Sequence, residues 1–371
     1  MTGEGKTSLV GGSMIIAFLI ILSGIFFFPM SSENNLTHTP QIAWLVFSAG
    51  IMFSFVLAKK DRGAALLFAL ICISFLNTII FSRAPKMLLF EGMFLSFAAA
   101  IAYYAARDLK LNEDALRWFL IPAGLNIILV FIQKFFPQII PLQSKEICGF
   151  LGNAGLTATF LGMTTPVFIK YFKAGLPFLL TAIFFCQGFV GLLAFVVCCL
   201  FALRNNKKVF YVLLAVSLTA FIFICFKYNG QVMLRASMMA GTLDGILHHW
   251  FLGWGLGSFA PTMARVPMEE SVYLGTAFNS RTYIMNHPTN EFLFGWWNFG
   301  LVFFIASLAY VWNILTNYKN KNEMSFSILL AGLTVMLFFF FTPPTTFLMS
   351  MSLAIYQNKN GGLNGTDNTE V

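Results

Sequence analysis

Long apolar blocks alternate with short clusters of Lys, Arg, Asn and Pro along the chain. About 20 apolar residues cross a bilayer as a helix. On that ruler the blocks predict spans near Leu9–Phe28, Ile42–Ala58, Gly63–Phe81, Met87–Ala106, Leu116–Phe136, Gly149–Ile169, Val209–Phe226 and Phe292–Leu315. Two further blocks do not fit one helix each. Ala174–Leu203 has basic residues at both ends, Lys170 and Lys173 before it and Arg204, Lys207 and Lys208 after it. Lys and Arg collect on the cytoplasmic side, so both ends belong there and the block predicts a hairpin of two short spans turning near Gln187–Gly188. Ser325–Tyr356 is interrupted by Thr342-Pro343-Pro344-Thr345. A double proline ends a helix or makes a turn, which predicts a second hairpin. The sum is an all-α polytopic integral membrane protein of twelve spans with both termini cytoplasmic.

The same pattern divides the chain into spans over 1–226, a long loop over 227–291, spans over 292–356 and a polar, Gly/Asn-rich tail over 357–371 expected to be disordered. With this threading, 15 of the 23 Lys and Arg residues fall on the cytoplasmic side. Of the others, Arg235, Arg265 and Arg281 lie in the long loop, where the charge bias has little force. That loop is the one extramembrane segment large enough for a site, and it faces away from the cytoplasm. Within it Val232, Ala236, Met239, Leu243, Ile246, Leu247 and Trp250 recur at helical spacing, opposite Arg235, Thr242, Gly245 and His249. The expectation is an amphipathic helix lying on the membrane surface. Glycines then crowd Gly253-Trp254-Gly255-Leu256-Gly257, a turn in which backbone can come close to backbone or ligand.

Composition excludes most other classes. Apolar residues make up 58% of the chain, charged residues 10%, and the mean hydropathy is +0.77. Soluble domains carry about a quarter charged residues, so this is not one. The net charge of +8 does not mark a nucleic-acid binder, because the basic residues sit at the ends of apolar runs and act as topology determinants. Of the six cysteines, all but Cys148 lie inside apolar runs, and none has metal-site spacing. Val10–Phe28 follows only Lys6 and lacks a small-residue cleavage pattern, so an uncleaved first span is expected. Transporters place ionisable residues inside spans near the midplane, and these spans hold almost none. A channel would repeat a pore-lining segment. A lipid-glycan flippase and a non-catalytic scaffold remain as readings of a different class.

Three short motifs carry a resemblance. Arg235 is followed by Ile246-Leu247-His248-His249-Trp250-Phe251-Leu252-Gly253-Trp254-Gly255-Leu256-Gly257-Ser258-Phe259. His287-Pro288-Thr289-Asn290-Glu291-Phe292-Leu293 precedes Gly300-Leu301, and Gly149-Phe150-Leu151-Gly152-Asn153 precedes Pro166. In order and spacing these resemble the loop and flanking spans of the O-antigen ligase and O-antigen polymerase superfamily. The resemblance implies a metal-independent, cofactor-free glycosyltransferase of the bacterial inner membrane. Its donor would be a glycan on undecaprenyl diphosphate and its acceptor a lipid A-core sugar, a second lipid-linked glycan or a protein hydroxyl, on the periplasmic face. Thr289 stands where the family carries a histidine before the asparagine, so the histidine role falls to His287. Cys186-Gln187-Gly188 stands where the family carries Ser-Arg-Gly, and Arg83 and Lys86 on another outside loop are candidates to substitute for the absent arginine.

The residue types suit that chemistry. A diphosphate leaving group is best held by planar guanidinium forks, and a histidine can take an acceptor proton near neutral pH. The expected catalytic residues are His287 and Arg235, with Arg265, Arg281, Arg83 and Lys86 toward the diphosphate and Asn290, Gly255, Gly257 and Asn153 in support. Each has a plainer alternative. His287 would be an interfacial histidine, Arg235 a snorkelling side chain, and Arg265 and Arg281 solvated loop residues. Adjacent His248 and His249 point to different sides of a helix and do not form one metal face. Asp244, Glu269 and Glu270 would pair the arginines or ligate a cation, though they show no metal-site spacing. Asn290 reads as the cap of the following span, and for Asn153 a cap and a substrate contact stand as equals. Partners are membrane lipid and the two glycan substrates; the sequence leaves the oligomeric state open.

Overall fold

The computed structural model describes residues 111–139, 147–227, 229–255, 258–259, 290–318, 322–338 and 343–360, with Ala99, Ala102, Tyr103, Ala106 and Arg107. Among the described residues every regular element is helical and there is no strand. The expected spans Leu9–Phe28, Ile42–Ala58 and Gly63–Phe81, and most of Met87–Ala106, lie outside the described residues. The 3-10 turn Glu113–Phe119 runs into α1 (Leu120–Phe135), followed by α2 (Ala154–Tyr171), α3 (Leu176–Phe185), α4 (Phe189–Leu203), α5 (Lys207–Lys227), α6 (Asn229–His248), α7 (Glu291–Thr316), α8 (Glu323–Phe338) and α9 (Pro343–Asn360).

Helix α2 is the core of the assembly, packed against α4, α8 and α3. Small residues allow its close approach to α4: a Cβ on Gly191 would lie 2.1 Å from the Ala158 carbonyl oxygen, and one on Gly162 would lie 2.2 Å from the Gly191 oxygen. Contacts of this kind are what join helices where no water drives them together. Its buried threonines bond back to their own helix, Thr159 to the Gly155 carbonyl at 2.7 Å and Thr164 to Leu161 at 2.8 Å. Pro166 has no N–H for the Gly162 carbonyl. The Thr165 hydroxyl takes that carbonyl instead, at 2.7 Å, as a helix away from water requires.

Both expected breaks occur. Helices α3 and α4 separate at Cys186-Gln187-Gly188, where Gln187 has φ 52°. Helix α9 begins at Pro343, a first-turn position where proline gives up no helical bond, and it continues through Asn360 into the stretch expected to be tail. Residues 361–371 lie outside the described residues.

Helix lengths differ from span to span. Among the described residues two helical stretches, Glu113–Phe135 and Glu291–Thr316, are long and apolar enough to cross a membrane, whereas Lys173–Phe185, Phe189–Leu203 and Glu323–Phe338 are shorter apolar helices. At 1.5 Å per residue α3 rises only about 15 Å, half of a hydrocarbon core about 30 Å thick. The first hairpin therefore has two short arms, as expected, the α3 arm being the shorter. Helix α7 is not one straight span either. Asn290, its cap, donates to the Leu337 carbonyl at 3.0 Å, and Tyr318 beyond its other end stacks on Phe326 with ring centroids 4.1 Å apart. A straight helix from 290 to 318 would measure about 42 Å, against about 17 Å along α8 from 326 to 337. The chain folds back on itself at Gly300, where φ is 81° and ψ −177°.

Helix α8 links two polar ends. At its start the buried Glu113 carboxylate accepts from the Ser325 N–H at 2.9 Å and from Lys170 Nζ at 2.9 Å. Beside it Arg204 pairs with Glu323 and donates to the Tyr318 hydroxyl at 3.1 Å. At its end stand Arg235 and Asn290.

Candidate functional site

Helix α6 presents three faces. Successive residues turn about 100°, which puts Arg235, Met238, Thr242, Gly245, Ile246 and His249 on one side, and there Thr242, Gly245 and Ile246 are buried. About a third of a turn away, Ala236, Leu243 and Leu247 are exposed, and on the remaining third Asp244 and His248 are exposed. An amphipathic helix at a membrane surface presents an open apolar stripe. Of the expected stripe Ala236, Leu243, Leu247 and Trp250 are exposed and Ile246 is buried, and the side that packs on protein is that of Arg235, Thr242, Gly245 and His249. The reason is local. Gly245 has no side chain, and the indole of Trp297 lies where its Cβ would be, 2.4 Å from that point. The Gly245 carbonyl accepts from Trp254 Nε1 at 2.9 Å.

The turn after α6 enters the hydrogen-bond ladder of α7. In an unbroken helix the Leu301 N–H would bond to the Trp297 carbonyl. Here it bonds instead to the carbonyls of Trp250 and Phe251, at 3.0 and 3.1 Å, and the Trp297 carbonyl takes the Trp254 N–H at 2.6 Å. Two glycines make the exchange sterically possible. Gly253 has φ 73°, and Gly300 approaches so closely that a Cβ on it would sit 1.9 Å from the Phe251 oxygen. Trp297 Nε1 donates to Ser258 Oγ at 2.9 Å, and Ser258 donates to the Gly255 carbonyl at 2.6 Å. His249 packs on Trp254 with centroids 3.9 Å apart, and Trp254 stacks on Trp297 at 5.7 Å. Burial lowers the His249 pKa from the usual histidine value, and neighbouring His248 adds to the shift.

Arg235 and Asn290, 55 residues apart, meet at the last turn of α8. Arg235 Nη1 donates to the Phe338 carbonyl at 2.7 Å, and Asn290 Nδ2 donates to the adjacent Leu337 carbonyl at 3.0 Å. The final carbonyls of a helix have no intrahelical donors and carry partial negative charge, so a cation there is stabilised. Burial pulls the Arg235 pKa below the usual guanidinium value, yet an arginine remains charged. Asn290 Oδ1 also accepts from the Leu293 N–H at 2.9 Å, which makes it the cap of α7 as expected.

The other expected site residues divide as follows. Asn153 caps α2 through the Leu156 N–H at 3.1 Å, on an element apart from Arg235 and Asn290. Gly255, at φ 89°, is buried and tied to Ser258. His287, Arg265, Arg281, Arg83, Lys86, Gly257, Glu269 and Glu270 lie outside the described residues. His248 and His249 diverge, His248 exposed with Nδ1 at 3.0 Å from the Asp244 carbonyl oxygen and His249 turned to the protein. The sequence pattern places Gly245 on the polar stripe of α6 but does not mark its partner Trp297. Trp297 looks like one more hydrophobe in an apolar run, but the coincidence of Gly300-Leu301 with a preceding Gly-Trp-Gly turn was an available signal. No protein-family model, curated protein or solved structure matches the chain.

Proposed function

We propose that this chain is a polytopic glycosyltransferase of the O-antigen ligase kind, built on twelve spans in the bacterial inner membrane, with both termini cytoplasmic and the loop over 227–291 periplasmic. It would move a glycan from undecaprenyl diphosphate to an acceptor hydroxyl, a lipid A-core sugar in the ligase form and a second glycan or a protein in the related forms. The observation that carries the reading is the meeting of Arg235 and Asn290 on the last turn of α8. Residues from the two ends of the long loop come to one point, at the end of α8 away from Lys170 and Arg204. A guanidinium there suits a diphosphate that must gain negative charge as it leaves. His287, three residues before Asn290, is the group proposed to take the acceptor proton.

The test uses purified protein in phospholipid nanodiscs with a lipid-linked oligosaccharide donor and a core-sugar acceptor. The wild type should form product, and His287→Ala should lower transfer by about 10²–10⁴-fold, the range for lost general acid–base catalysis, while donor binding persists. EDTA should leave the rate unchanged. Transfer at the wild-type rate by His287→Ala would remove its assignment. Loss on chelation, restored by a divalent ion, would overturn the metal-free mechanism and bring back Asp244, Glu269 and Glu270.

A further inference from the structure

The turn that joins α6 to the Gly253 region combines two properties that seldom occur together at a water-exposed surface. Its large side chains are open, with Trp250 50%, Phe251 53% and Leu252 62% exposed. Its backbone is nonetheless bonded to protein. The Trp250 carbonyl accepts from the Leu301 N–H and from Trp296 Nε1 at 2.9 Å, the Phe251 carbonyl accepts from Leu301, and the Gly253 N–H donates to the His249 carbonyl at 2.9 Å. A turn in water can leave such groups to the solvent. Non-helical backbone at membrane depth must satisfy them within the protein.

The surroundings agree. Leu243 and Leu247 on α6 extend the open apolar surface back from the turn, and Val302 and Ile305 on α7 continue it directly after Leu301. The stretch of α7 beyond the bend, from Leu301 to Thr316, rises about 24 Å, so the turn meets it one leaflet or more away from Arg204 and Tyr318. The exposed Asp244 and His248 occupy a separate stripe of α6. The three faces of α6 thus match three surroundings: protein, hydrocarbon and water.

We infer that Leu243, Leu247, Trp250, Phe251 and Leu252 form a wedge inserted among the acyl chains of the outer leaflet beside α7. The inference rests on the membrane reading of the chain proposed above, and it does not depend on the transfer chemistry. A tryptophan at such a boundary is well placed, with its ring in the interfacial zone.

The experiment is nitroxide accessibility in full-length protein in phospholipid nanodiscs, with the native cysteines replaced. Labels go on Phe251→Cys and Leu247→Cys, with His248→Cys on the polar stripe and Ile305→Cys on α7 as references. Positions 251, 247 and 305 should be relaxed mainly by oxygen and position 248 mainly by a water-soluble nickel chelate. Thiols in apolar surroundings stay protonated and unreactive, so a water-soluble maleimide should react about tenfold more slowly at 251 than at 248. Nickel-dominated relaxation at 251 with oxygen-dominated relaxation at 305 would overturn the wedge and leave the membrane reading standing. Nickel-dominated relaxation at 305 would overturn the membrane reading itself. Protection of 251 from both reagents would show a protein cover and would also overturn the wedge. A second measurement keeps the native cysteines: brominated acyl chains should quench less of the tryptophan emission in Trp250→Phe than in the wild type, and equal quenching counts against insertion.

Discussion

Arg235 reaches the end of α8 through one guanidinium nitrogen, and its fork geometry matters as much as its charge. A lysine keeps the charge but presents a single point donor, without bidentate contact to phosphate. Arg235→Lys should therefore behave like Arg235→Ala, each lowering glycan transfer by about tenfold to a hundredfold. Full activity in the lysine variant would return Arg235 to a snorkelling role. His249 supplies a pH test. Burial first, and His248 second, hold its pKa below the ordinary value, so the folded protein binds this proton more weakly than the unfolded chain. Its contribution to stability is complete above the unfolded value near ~6.5 and is lost as pH falls through the lower folded value. His249→Gln should flatten the acid side of a plot of thermal midpoint against pH. An acid side as steep as that of the wild type would assign the effect to another group.

Among the elements, α7 and the turn after α6 are held together by the exchange of backbone bonds at Gly300. Alanine there must adopt φ 81° and meet the Phe251 oxygen. Strain of about 1–3 kcal/mol from the dihedral alone, with the steric clash added to it, should lower the thermal midpoint and blue- or red-shift the Trp254 and Trp297 emission. Gly124 in α1 makes the opposite prediction, because a Cβ there meets nothing within 4 Å. Gly124→Ala should stabilise the protein by about 0.5–1 kcal/mol through lost freedom of the unfolded chain. Equal shifts for the two variants would remove the backbone exchange as the cause. The breaks at Gln187–Gly188 and Pro343 were legible in sequence because glycine and proline act on their own turn. The break at Gly300 was not, because glycine is common in membrane helices and this one bends only where a distant turn supplies new partners.

For the molecule as a whole, α8 joins a basic end to the loop end, and its start is held by a residue more than 200 positions away. Glu113→Ala leaves the Ser325 N–H without its carboxylate partner and strips Lys170 of its counter-charge, a loss of about 1–3 kcal/mol. Glu113→Gln, which keeps an acceptor, should recover part of it in thermal unfolding. If alanine and glutamine are both neutral, the contact is ornamental and α8 is fixed by packing alone. Sidedness has its own test. Single cysteines placed at positions 206 and 270 should react with an impermeant reagent from opposite sides, position 270 in intact cells and position 206 only after permeabilisation. Reaction of both from one side would remove the proposed threading.

Sequence by itself determined the helical character, the two hairpin breaks, the cap at Asn290, and the gathering of Lys170 and Arg204 at one end. Each follows from signals that act within about four residues, such as a proline, a capping amide or a charge beside an apolar run. Tertiary structure alone decided which face of α6 is buried, where α7 bends, and that Arg235 and Asn290 share the final turn of α8. Polarity can sort a helix face between oil and water, but here the protein is a third environment, and a protein-facing stripe of Thr242, Gly245 and His249 is favourable only because Trp297 and Trp254 fit against it. The bond exchange at Gly300 joins segments some 50 residues apart, and only their packing brings those backbone groups within reach of one another.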